Sequence, residues 1–100
     1  MIVIIKTVYG NNGGINSNSI VDLKFQNSIK NPNLYTMHFT NRWISNGIIR
    51  GEFTESTMFN TKKVAEIIKH YRKIAKNNSW KKNNNIVSID IIFIKNNRNK

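Results

Sequence analysis

The sequence predicts an α+β fold: a mostly antiparallel or mixed sheet of about five to six strands, covered by one long amphipathic helix before the C-terminal strand. Three observations carry this prediction. Several segments alternate apolar and polar residues with period two, as half-buried strands do. Asn46-Gly47 stands between apolar runs, the strongest short signal of a β-hairpin. Residues 61–77 place their apolar side chains at helical spacing.

Residues 1–9 are apolar at nearly every position and read as an interior strand. They lack a basic leader and a small-residue cleavage site, so a strand is expected rather than a signal peptide. GNNGGINSNS at 10–19 reads as a flexible connection. In 20–25, Val21, Leu23 and Phe25 share one face, and Ile20, Asp22 and Lys24 the other. Asn31-Pro32-Asn33 is a turn, because Pro32 cannot donate to a central ladder. Residues 34–39 form a strand with Tyr35, Met37 and Phe39 on one side. Two further strands are expected at about 41–45 and 48–54, joined by Asn46-Gly47, with Ile49, Gly51 and Phe53 sharing a face. Residues 86–95 form the last strand, with Val87, Ile89, Ile91 and Phe93 along one face. This strand and the first are the most hydrophobic, so both are expected centrally and next to each other.

A chain of 100 residues suits one domain with a thin core. Residues 1–95 are read as that domain and 96–100 as a frayed basic tail. There is no Cys, which removes disulfides and cysteine-ligated metals. No apolar run reaches 18 residues, so no membrane partner is expected. The expected localisation is cytoplasmic.

Net charge is +11 and unevenly placed: +2 over residues 1–61 and +9 over 62–100. Such asymmetry favours an anionic partner. A competing explanation lies in the composition, with 18 Asn, 17 Ile and 12 Lys, all residues of AT-rich codons. Lys also lacks the planar donor fork with which Arg grips phosphate.

The charge question centres on KKVAEIIKHYRKIAK, residues 62–76, with five Lys, one Arg, one His and one Glu. Val64, Ile67, Ile68, Tyr71, Ile74 and Ala75 fall in an arc of about 120°, the face that covers the sheet. Lys62, Lys69, Arg72, Lys73 and Lys76 gather on the opposite side. With Asn60 as N-cap, Phe59 and Val64 form a hydrophobic staple; with Thr61 as the cap, the boundary slips by one. Lys62 and Lys63 then oppose the helix dipole, a placement that makes sense if an anion docks at 61–63. Trp80, between Lys76 and the pair Lys81 and Lys82, is a candidate stacking side chain. Trp43 reads as structural.

Motifs for catalysis are absent. GNNGG lacks the Lys-Ser/Thr of a phosphate loop, and the five acids form no motif for a metal. No catalytic residue, metal or cofactor is assigned. His38 is expected to be partly buried and hydrogen bonded. Asp90, in an apolar strand, is expected to be partly exposed, with Ile92 and Ile94 forming a small apolar patch.

Three function classes follow. In the first, a non-enzymatic binding protein meets nucleic acid or a nucleoprotein complex through Lys62, Lys63, Lys69, Arg72, Lys73, Lys76, Trp80, Lys81 and Lys82, mostly at phosphates. In the second, the basic face docks on an acidic protein surface. In size, composition and lack of catalytic residues the chain resembles small phage or mobile-element proteins that block host defence enzymes, anti-CRISPR proteins among them. That resemblance is one of type, without a shared motif, and implies an inhibitor that acts by protein contact. In the third, an assembly role, a homodimer included, rests on apolar strand edges and the Ile92/Ile94 face.

Overall fold

A computed structural model describes residues 1–10, 17–77 and 86–95. Five strands and one helix follow in the order β1 (Ile2–Gly10), β2 (Ser17–Asn27), β3 (Leu34–Ser45), β4 (Ile48–Asn60), α1 (Thr61–Lys76) and β5 (Ile86–Ile94). The fold is α+β: an antiparallel sheet in the order β4-β3-β2-β1-β5, with α1 between β4 and β5.

The turns follow from local chemistry. Asn46 (φ 53°) and Gly47 (φ 77°) both take positive φ between β3 and β4, the requirement of a type I′ hairpin turn. Between β2 and β3, Pro32 sits outside the ladder. The Leu34 N–H donates to Asn31 O at 3.0 Å, and the Asn27 side chain donates to Pro32 O at 3.0 Å. This turn also holds the helix start, because the Thr61 N–H donates to Asn33 O at 3.0 Å.

Period two sorts the side chains. Val3, Ile5, Leu23 and Phe25 are buried and meet in register, Val3 opposite Phe25 and Ile5 opposite Leu23. Val64 closes the cluster from the helix, with Tyr35, Met37, Phe39, Phe59, Ile67, Ile68, Tyr71 and Ile91 packed around it. The core is small because the layers differ in length. The 16-residue helix spans about 24 Å, and the 12-residue β3 about 40 Å. The β3–β4 hairpin therefore runs past the helix layer.

Several expectations change. The strands expected at 34–39 and 41–45 are one strand, and the one expected at 48–54 continues to Asn60, so the described residues form five strands, within the expected five to six. β1 and β5 do pair, yet β5 lies at the sheet edge. Its apolar face is only half covered, with Val87 and Phe93 exposed. A register shift between Trp43 and Ile44 pairs Ile49 with Ile44, so Ile49 leaves the face of Gly51 and Phe53. His38 is exposed, although its Nδ1 lies 3.0 Å from Ser56 Oγ. Of the helix's apolar arc only Val64 is fully buried. Trp80, Lys81, Lys82 and the 96–100 tail lie outside the described residues.

Trp43 is both structural and exposed. A Cβ at Gly51 would come within 2.9 Å of Trp43 Cε3. The indole thus lies across the glycine opposite it, while 42% of Trp43 stays exposed.

Candidate nucleic-acid interface

The helix starts as its capping chemistry dictates. Asn60 takes an extended conformation, and its Oδ1 accepts from the Lys63 N–H at 2.8 Å. Phe59 and Val64 flank this cap and both belong to the core packing. The first turn holds no acid, so Lys62 and Lys63 stand against the dipole, with Glu66 one turn on as the helix's single carboxylate. At the other end, Lys73 and Lys76 sit in the last turn, where the dipole favours cations.

The cap narrows the donors open to an anion at the helix start. Thr61 and Lys63 already donate their N–H groups to Asn33 O and Asn60 Oδ1. Those two backbone donors are therefore spent, and an anion arriving at 61–63 meets the Lys62 N–H and lysine side chains.

At 100° per residue, Lys76, Lys69, Lys62 and Lys73 fall within about 60° of one another, forming a crest about 21 Å long. All four are exposed. Arg72 stands on the flank toward β5, where its guanidinium lies 5.0 Å from the Phe93 ring centroid. This is cation–π distance. Lys63 stands on the opposite flank. There it rims a groove of about 460 Å³ between helix and sheet, floored by Leu23, Met37 and Phe59, with Glu66 and His70 beside it. Tyr71 closes the groove's inner wall. Burial, and secondarily the nearby Tyr9, push its phenol above the ordinary tyrosine range. The structure thus brings Lys62, Lys69, Lys73 and Lys76 together and separates Lys63 and Arg72 onto two flanks.

The opposite face of the sheet has a different electrostatic character. Its paired positions carry Lys6, Lys24 and Arg42 against Asp22, Glu52 and Asp90, a net charge of zero. Signs alternate along the row Asp90–Lys6–Asp22. Arg42 Nε contacts Glu52 Oε2 at 3.1 Å, and its Nη1 lies 3.9 Å from Asp22 Oδ2. The helix, with five Lys and one Arg against Glu66, has net +5. Among the described residues none of its cations is in an ion pair.

Aromatic residues are segregated as well. Trp43, Tyr35, Phe25, Phe39, Phe53, Phe59 and Phe93 all lie on the helix side, by their register with the buried core positions. The open face lacks Phe, Tyr and Trp among its described residues. A base therefore finds no aromatic platform there of the sort that sheet-type single-strand binders use. This segregation could not be read from the helix pattern alone, because face assignment in β2–β4 depends on long-range register.

Among the described residues no cluster of three or more His, Asp or Glu could hold a metal. None of the described helices is long and apolar enough to cross a membrane. No family model, curated protein or solved structure matches the chain.

Proposed function

We propose that this chain is a small, basic, non-enzymatic binding protein whose helix crest lies along nucleic-acid phosphates, free or within a nucleoprotein complex. One observation carries the reading: positive charge is concentrated on the helix and balanced to zero over the paired positions of the sheet's open face. Composition drift alone would raise Lys on every exposed surface and gives no reason for this difference. The crest is rich in Lys and poor in Arg, so it binds backbone without reading bases. Arg72, the helix's single Arg, is engaged with Phe93. Trp80, Lys81 and Lys82 follow the helix in sequence and extend the basic run.

A second reading is an inhibitor that binds a nucleic-acid-processing defence enzyme by direct protein contact. The β3–β4 hairpin favours it. Its distal part exposes Trp43, Ile48, Ile49 and Phe53, with Arg50 among them, and Trp and Arg are enriched at interface hot spots.

Affinity capture from the native host, with and without nuclease treatment, tests the proposal. Co-purified nucleic acid that nuclease removes, together with any attached protein, is the expected result. A protein partner retained after complete digestion, with no binding of free oligonucleotides, would overturn the first reading in favour of the second.

A further inference from the structure

The two margins of the sheet differ. β4, at one edge, exposes Ile48, Ile49, Phe53 and Met58 but intersperses them with Arg50, Glu52 and Glu55 and the hydroxyls of Thr54, Ser56 and Thr57. Charged edge residues are what natural sheets use to discourage pairing. β5, at the other edge, reads IVSIDIIFI, with Asp90 as its single charge. Val87, Ile92, Phe93 and Ile94 are 61, 46, 43 and 44% exposed. Phe93 projects on the helix side and Ile92 and Ile94 on the open side, Val87 sits at a bulge, and among the described residues no strand pairs with the outer margin. Alternate residues of an edge strand turn their N–H and C=O groups outward. β5 therefore offers a ladder of unpaired backbone groups between two apolar borders.

We infer that β5 is a docking edge for an extended segment of a partner protein, added to the sheet as a sixth, antiparallel or parallel strand. Charge selects the occupant. Arg72 stands over Phe93 on the helix side, and exposed Lys95 follows the strand. The segment that fits alternates acidic residues toward the helix side with apolar residues beside Ile92 and Ile94. A second copy of this chain is disfavoured, because each carries +11 and would bring like charge to the junction. This inference is independent of nucleic-acid binding: it concerns the sheet margin, not the crest.

The probe is a fluorescein-labelled nonapeptide of alternating Glu and Val. Its controls are the same peptide with Lys for Glu, and one N-methylated along a single backbone edge. Anisotropy is read with the full chain, and hydrogen exchange locates the contact. The Glu peptide is expected to bind and protect β5 amides, and N-methylation to weaken it by about tenfold or more. Ile92→Lys, at an exposed position, should do the same while leaving the circular dichroism spectrum unchanged. A variant with Lys62, Lys69, Lys73 and Lys76 changed to Gln should still bind within about threefold, which separates edge pairing from attraction to the crest. Equal binding of the N-methylated peptide, protection confined to the helix, or no binding would overturn the inference. A concentration-dependent dimer abolished by Ile92→Lys would overturn the choice of occupant.

Discussion

Replacing Lys62, Lys69, Lys73 and Lys76 together by Gln removes the crest and leaves Lys63 and Arg72 on its flanks. The size of the effect follows from counterion release. If all six helix cations meet phosphates, log K against log salt falls with a slope of about −5 on duplex DNA and about −4 on single strands. With two cations left, the duplex slope is about −2. From about 50 to 200 mM salt the parent should lose roughly 10³-fold in affinity, and the variant only about tenfold. Stability should not fall, because like charges three and four positions apart destabilise a helix by a few tenths of a kcal/mol each. Fluorescence anisotropy on a labelled mixed-sequence 20-mer, single-stranded and duplex, gives both slopes, and thermal unfolding gives the control. A slope that changes by less than about one when the four lysines are removed would refute the crest as the phosphate-binding surface.

Other outcomes follow from individual contacts. Asn60→Ala deletes the acceptor of the Lys63 N–H bond and should lower stability by about 1 kcal/mol in denaturant unfolding, whereas Asn60→Asp keeps the cap and adds a charge the dipole favours. Gly51→Ala pushes a Cβ to 2.9 Å from Trp43 Cε3. The indole must swing outward, which should lower stability by about 1 kcal/mol and red-shift tryptophan emission. Tyr71 holds its proton more tightly folded than unfolded, so its contribution is constant below pH 10.0 and lost as pH rises above it. Tyr71→Phe should flatten that part of the alkaline stability profile, measured by urea unfolding in steps from about pH 9 to 11.

Local signals were the legible ones. Asn46-Gly47 fixed a hairpin because both positions need positive φ. Asn60 with Phe59 and Val64 placed the helix start to within one residue, and the structure chooses Asn60 over Thr61 as the cap. The odd-numbered faces of β2 and β3 were readable because Val21–Phe25 and Tyr35–Phe39 alternate. Non-local facts were hidden. Thr40 and Asn41 look like a break in sequence, yet they pair on both sides and β3 runs through them. β5 has the composition of a central strand, and only its lack of a second described partner places it at an edge. The bulge that turns Ile49 away from Gly51 leaves no trace in the pattern.

The candidate site was legible in the same partial way. Helical periodicity gathered the lysines on one side. It did not resolve that side into a crest and two flanks with different neighbours, since that depends on where the groove and Phe93 lie. Nor could the +11 total separate function from drift. The comparison that bears on drift is between surfaces, and it requires knowing that Asp22, Glu52 and Asp90 share the open face with Lys6, Lys24 and Arg42.

The central claim is that nucleic-acid phosphates lie along the helix crest. Amide chemical-shift mapping of the isotopically labelled chain, titrated with a short oligonucleotide at low salt, tests it most directly. The predicted result is a set of salt-reversible shifts concentrated on residues 62–76, with the amides of Lys6, Lys24 and Arg42 unmoved. Shifts of equal size on the open face, or none on the helix at saturating oligonucleotide, would contradict it.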